Sequence, residues 1–405
     1  MKRKNLPWSL LHMGFAVSLF LCFSSCQKEK QSTTPEETTV ATDDGSNIRP
    51  AATSSAEVTG SGGTFTAKVN GVTKYTGTDY IAAIQAACNN LTAGRTTKET
   101  VLIKNSGSSG QSGGAIKAVN IPSYTILDFG NTTFTCNSTD QLIVPIQGER
   151  RTDIEVKNMK VSGNPRYGIW LKTCSNITLS NITMTLNSSS GLGIRVDDSK
   201  GDWSRNFTLT SCNISGSGDN AVETYGVDGF TIGTVTASNA GACGLLLNKS
   251  KNGTVGTVNA TNCGQGTGYA GFRIANNAGP NIRVTTVNST GCGRGFFSVT
   301  SSNGCTIGTL NAKNCESHGA LLENAQQIQI NGGTISGNGS DGIRFSTTLS
   351  YICRDNIVQN LNVSGNAFGI RETAPSNYNT VKNCKLNGNG LSLAGPNSVS
   401  TGNTL

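Results

Sequence analysis

A chain of 405 residues with 50 glycines, 6% aromatic and 14% charged residues has too few large side chains for a conventional core. Its apolar residues recur in short runs too regular for a disordered polymer, so the composition points to an all-β, turn-rich architecture. The formal net charge is +8.

The first 26 residues read as a targeting segment. Lys2, Arg3 and Lys4 precede the apolar stretch MGFAVSLFLCF, and Ser24 and Ser25 stand directly before Cys26. The apolar stretch is shorter than the roughly 20 residues a spanning helix needs, and the pattern resembles a bacterial lipoprotein signal in which Cys26 is lipidated after cleavage. Phe23 stands where Leu is usual. Cleavage would remove three basic residues and no acidic one, taking the net charge from +8 to +5. Residues 27–58, rich in Ser, Thr and Pro and without apolar period, read as a flexible tether. The folded part is thus expected on a leash at the bacterial cell envelope, facing the periplasm or the cell surface.

Residues 59–149 read as an N-terminal cap followed by irregular first coils. Within them DYIAAIQAACNNL (79–91) has the pattern of an amphipathic helix with Asp79 as N-cap. From residue 150 a repeat takes over. Segments beginning at Ile154, Ile177, Phe207, Phe230, Gly253, Ile282, Cys305, Ile328 and Ile357 follow one another at steps of 23, 30, 23, 23, 29, 23, 23 and 29 residues. Each contains a β-like stretch, a turn rich in Asn, Gly and Ser, and a second short strand opened by Gly or Ala, such as G193IRVD, A221VETY, G271FRIA or G342IRFS. One such unit cannot bury its apolar face alone, but a stack of them can.

These repeats resemble the right-handed parallel β-helix of the pectate-lyase-like superfamily, over residues 150–405, and the resemblance implies a solenoid of about ten coils with the 79–91 helix covering its open end. The superfold hosts lyases, hydrolases, epimerases and adhesins, so it does not by itself assign an activity. Eleven cysteines lie beyond Cys22 and Cys26. Cys263, Cys292 and Cys315 each fall ten residues into their own unit, so they are expected to stack about 4.8 Å apart as buried free thiols. Neither CxxC nor Cys/His metal spacing occurs.

Side chains alternate across a strand. Counting the opening Gly or Ala of each second strand as zero, positions +1 and +3 are apolar and +2 and +4 hold Trp170 and Lys172, Arg195 and Asp197, Glu223 and Tyr225, Leu246 and Asn248, then Arg273, Glu323, Arg344 and Arg371. An outward face rich in Arg, aromatic and carboxylate residues suits an acidic polysaccharide, whose carboxylates accept paired hydrogen bonds from guanidinium. The competing reading is a ladder of cross-strand ion pairs, Lys172 with Asp197 and Arg195 with Glu223. Insertions bring Trp203 and Tyr269 to the ends of these strands, where aromatic faces can stack on sugar rings. Arg294 and His318 complete the expected substrate-binding set with Trp170, Trp203, Asn248, Tyr269, Glu323 and Arg344.

Two mechanisms fit this face. In β-elimination from a uronate polymer a base removes the proton beside the carboxylate while a cation or donor stabilises the developing charge. Arg195 or Arg273 would neutralise or act as base, Lys172 is another base, Glu223 a further catalytic candidate, and Tyr225 would donate to the leaving oxygen. Inverting hydrolysis would use Asp197 and Glu223, roughly 8 Å apart at standard strand spacings, within the required window of roughly 6.5–9.5 Å. Superfamily members often recruit Ca2+, for which Asp197, Asp219 and Glu223 are the candidate ligands; no other cofactor is indicated. GDNAVE (218–223) and SHGALLE (317–323) faintly resemble motifs of polygalacturonases, but they stand four coils apart, near 19 Å, and Asn220 replaces the second Asp, so those roles are not carried over. The expectation is a polysaccharide lyase, with an inverting hydrolase or a non-catalytic carbohydrate-binding adhesin as alternatives. Its partners would be an acidic polysaccharide and, through the lipid alone, a membrane; a monomer and no nucleic acid are expected.

Overall fold

The computed structural model describes residues 55–187, 191–198 and 201–405. The targeting segment, Cys26 and residues 27–54 of the expected tether lie outside the described residues. The tether's last four positions do not: β1 (Ser55–Ser61) begins there, burying Ala56 and Val58. β1, β2 (Thr64–Val69) and β3 (Val72–Gly77) form an antiparallel meander, and β1 also pairs in parallel with Glu99–Ile103.

α1 (Tyr80–Asn89) follows, where the amphipathic pattern predicts it. The Asp79 carboxylate accepts from the Ala82 N–H at 3.1 Å, satisfying one of the donors a helix start leaves open. Its apolar stripe, Tyr80, Ile81, Ala83, Ile84, Ala87 and Cys88, is buried and continuous with the core.

The remainder is a parallel β-solenoid. Twelve strands, one per coil, pair in parallel into one sheet; a second, larger sheet carries the other segments. Regular parallel pairing starts at Glu99–Ile103, so the coils expected to be irregular over 92–149 already belong to the stack, and it is longer than the ten or so expected. In the twelve-stranded sheet Ile169, Ile194, Val222, Leu245, Phe272, Phe296, Ala320, Ile343 and Ile370 occupy one register column, each fully buried. Burying one such large apolar side chain is worth about 1.5–3 kcal/mol, and the column repeats it coil after coil.

The abundance of Asn has a structural cause. Asn158, Asn176, Asn181, Asn206, Asn252 and Asn281 all adopt positive φ, a backbone region Asn tolerates better than most residues. Their side-chain amides bond from coil to coil: Asn181 donates to Asn158 at 2.9 Å, Asn206 to Asn176 at 3.0 Å and Asn281 to Asn252 at 2.9 Å. One residue type thus makes the bend and fastens it to its neighbour. All eleven cysteines among the described residues are buried and free, with the Cys263 N–H 3.4 Å from Cys292 Sγ in the adjacent coil.

Candidate functional site

The outer face of the twelve-stranded sheet carries the residues singled out by alternation, in the expected register. Trp170 lies opposite Arg195, Arg195 opposite Glu223, Glu223 opposite Leu246 and Leu246 opposite Arg273, while Lys172, Asp197, Tyr225 and Asn248 form the adjoining row. The structure divides them into two regions of different character.

In the first, between the strands Tyr167–Lys172 and Leu245–Asn248, the charges are consumed internally. Arg195 donates from Nε and Nη2 to Asp197 at 2.8 and 3.2 Å, and from Nη1 to Glu223 Oε2 at 3.0 Å. Trp170 Nε1 donates to Asp197 at 3.1 Å. Glu223 also accepts from Asn220 and from Asn248, each at 3.2 Å. Asp197, Glu223 and Asn248 face outward as expected yet are buried beneath one another. Burial pushes the Glu223 carboxyl above its ordinary range, with Arg195 pulling the other way. Lys172 pairs with Glu149 of the preceding coil at 2.6 Å, and not with Asp197 as the ion-ladder reading had it; its ammonium lies 4.7 Å from the Trp170 ring centre. Arg195 sits 5.7 Å over Tyr225.

This arrangement corrects two expectations. Asp197 and Glu223 hold a guanidinium between them, where an inverting pair needs room for water. Asp197, Asp219 and Glu223 do not converge into a calcium site: no group of three or more His, Cys, Asp or Glu side chains placed to hold a metal exists among the described residues. Asp219 instead accepts from the Asn220 N–H and lines a polar recess with Asp140, Gln141, Arg166, Tyr167 and Leu192. Trp203 stacks with Lys249 and Lys251, at 5.4 and 4.9 Å, on the turn after Asp197.

The second region runs from Ala270–Ala275 to Phe368–Glu372, and here cations outnumber their partners. Arg273 and Arg294 both stack on Phe297, at 5.0 and 4.6 Å from its ring centre, and Arg273 also lies 4.9 Å from that of Tyr269. Neither forms an ion pair among the described residues, and the Nε of each is buried without a hydrogen-bond acceptor. Burial, reinforced by repulsion from Arg273, lowers the pKa of Arg294, against attraction from Glu323. Beside them stands His318. Its Nδ1 is 2.7 Å from Ser317 Oγ, and its Nε2 is 3.5 Å from Ser340 Oγ and 3.8 Å from Asp341 Oδ2. Burial first, then repulsion from Arg294, Arg344 and Arg371, pushes the imidazole pKa down to about 4. His318 is therefore neutral at pH 7, a base among cations. Asp341, 3% exposed in its side chain, draws in Arg344 at 3.4 Å and Arg371 at 3.1 Å. Gly319 makes this placement possible, since a Cβ there would lie 2.3 Å from Ile335 Cγ2 and 2.6 Å from the Gly342 carbonyl.

Strict alternation missed Asp341 and underrated His318, while Phe297, at +2 after Gly295 and so on the outer face by the same rule, was passed over. Arg294, His318 and Asp341 each stand one residue before an opening glycine, where alternation aims side chains inward. Position −1 nevertheless shares the outer face with +2: Asp341 reaches Arg344, and Cys243 and Ala270 pack with Leu246, Phe297 and Leu321 in an apolar cluster outside the main core. The recurring pair of a polar residue and glycine, Arg294–Gly295, His318–Gly319 and Asp341–Gly342, was the available signal. A separate groove of about 450 Å³ on the larger sheet, lined among others by Asn206, Thr231, Asn252 and Arg283, contains one charged side chain and no acid–base pair.

With this geometry in view, comparison with known proteins defines the class: a right-handed parallel β-helix protein. The family described as Right handed beta helix region matches residues 143–309, and the family described as Periplasmic copper-binding protein (NosD) matches residues 244–403. Among solved structures, the A-module of mannuronan C-5 epimerase AlgE4 from Azotobacter vinelandii is similar with a TM-score of 0.54 at 15% identity, covering 80% of this chain and 96% of that one. The AlgE6 A-module from the same organism gives 0.53 at 14% identity, covering 80% and 95%. Likeness at this identity concerns the fold alone. No curated protein matches the sequence. Among the described residues no group of three or more His, Cys, Asp or Glu side chains is placed to hold a metal, and every cysteine is buried.

Proposed function

We propose that the chain is an exported enzyme acting on a uronate-containing polysaccharide, and that it cleaves the polymer by β-elimination at His318. The observation that carries this reading is the placement of the His318 imidazole, with Nδ1 on Ser317 and Nε2 near Ser340 and Asp341, beside a cluster of arginines of which Arg294 has no carboxylate partner among the described residues. In the tautomer whose Nδ1–H donates to Ser317, Nε2 is the free base. It takes the proton from the sugar carbon beside the carboxylate; Arg294 neutralises the charge that develops on that carboxylate, where a fixed cation acts most strongly. The electron pair left on carbon forms a double bond to its neighbour as the glycosidic C–O bond breaks, and the leaving oxygen takes a proton from solvent. Asp341 is a positioning residue, holding Arg344 and Arg371 beside the imidazole.

The test is incubation with acidic and neutral polysaccharides in deuterated water. Cleavage with absorbance near ~235 nm, from the new double bond, supports elimination, since hydrolysis removes no carbon-bound proton. Deuterium uptake without that absorbance would make the enzyme an epimerase, reducing ends alone a hydrolase, and binding without reaction an adhesin. Lipid anchoring through Cys26 belongs to the same proposal: Cys26→Ser should release the protein from the membrane fraction or block processing, and unchanged processing and association would remove the anchor.

A further inference from the structure

Arg273 is not needed to explain the proton transfer, and its surroundings are unusual. It stands one coil before Arg294, and both guanidinium groups stack on the ring of Phe297. Like charges so close repel, and each buried Nε lacks an acceptor, at a cost that a native structure seldom leaves uncompensated. The ring offsets part of it through cation–π attraction. Around the pair, Leu246, Val299 and Leu321 form an apolar cluster on the outer side of the sheet that is itself buried. Two half-buried guanidinium groups on this support, neither with a carboxylate partner among the described residues, fit a ligand that brings two anionic groups.

We infer that Arg273 and Arg294 form a paired-carboxylate subsite that selects polymers with acidic groups on two consecutive sugars. Arg294 takes the carboxylate of the reacting unit, as in the reading above on which this inference rests, and Arg273 takes that of its neighbour. Arg273 lies opposite Phe297 and Arg294 opposite Ala270, three residues back along the strand, yet both guanidinium groups reach the Phe297 ring, at 5.0 and 4.6 Å from its centre, so they stand at most about 10 Å apart, a span that two neighbouring sugars of an extended chain cover at roughly 5 Å each. A polymer whose acidic sugars alternate with neutral ones would leave one guanidinium unpaired, and a charged hydrogen bond of this kind is worth about one to two orders of magnitude in affinity.

Binding without turnover separates this inference from the elimination reading. In the His318→Ala protein, calorimetric titration with a tetrasaccharide of contiguous uronates should give a Kd at least about tenfold below that of a tetrasaccharide alternating uronate with neutral sugar. Adding Arg273→Gln should abolish that preference while the thermal unfolding midpoint shows the protein folded; in the active protein the same substitution should raise KM more than it lowers kcat. Equal affinity for both tetrasaccharides, or a preference that survives Arg273→Gln, overturns the inference whether or not the wild type cleaves. Contiguous-uronate preference in a protein that eliminates nothing would retain the subsite and reject the elimination reading.

Discussion

Two stretches of one sheet, built on the same repeat, treat their charges in opposite ways. Between Trp170 and Asn248, Arg195 is paired with both Asp197 and Glu223, and the carboxylates are engaged by Arg195, Trp170, Asn220 and Asn248. Between Arg273 and Arg371, two guanidinium groups lack carboxylates among the described residues, and a histidine is held neutral beside them. A polar cluster that completes its own bonding stabilises or rigidifies; one that leaves donors open has capacity for a ligand. Residue type alone did not separate the two, because both contain arginine, aromatic and carboxylate side chains.

The sharpest break in this comparison comes from His318. His318→Gln should lower turnover on a susceptible uronate polymer by about 10²–10⁴-fold, the usual worth of a general base, with circular dichroism unchanged. Retained turnover would move the chemistry off this region. Arg195→Ala should act in the other direction, leaving two buried carboxylates without their cation. That costs about 3–5 kcal/mol, read as a lower midpoint in urea, whereas a stable Arg195→Ala protein with lost activity would make the first region catalytic.

Titration adds a graded test. A base with its pKa near 4 is unprotonated at neutral pH, so activity should hold flat through pH 6 and fall as pH drops through about 4. Stability follows the same group. Below the unfolded imidazole pKa of about 6.5, the unfolded chain takes a proton that the folded one refuses, so stability falls from there down to about pH 4 and then levels. The full effect is of order 3 kcal/mol, and His318→Gln should flatten that slope in denaturant titrations across the window. The smallest effect is expected at Glu223→Gln, which keeps the shape and removes one charge from a network that retains Asp197: a loss of about 1–2 kcal/mol with turnover within about threefold of wild type. A larger fall in kcat would restore Glu223 to the chemistry.

Much of the fold was legible because a solenoid repeats its instructions. The 23-residue step, the inward column from Ile169 to Ile370 and the helix behind Asp79 could be read from spacing and composition. The candidate site was legible only in outline. Alternation tells which way Glu223 points, but not that Arg195, Asn220 and Asn248 will cover it. It paired Lys172 with Asp197 because the preceding coil, which supplies Glu149, has no repeat to announce it. It passed over Asp341 because the residue before the opening glycine shares the outer face with Arg344, against strict alternation. Each miss concerns what covers or meets a side chain, a property of three dimensions that periodicity does not carry.

The Asn-fastened bends have one more consequence, and it concerns length measurement. Because each coil closes on itself and is fastened only to its neighbours, the outer face is graduated in whole coils, like a ruler whose divisions cannot be subdivided. Insertions of 6 or 7 residues extend a turn without altering the graduation, as the 29- and 30-residue steps already do. Removing one full unit such as 230–252 would shorten the solenoid by a single division, about 4.8 Å, and leave Arg273, Arg294, His318 and Arg344 at their present mutual spacing. The length of this face can therefore change only in whole-coil increments.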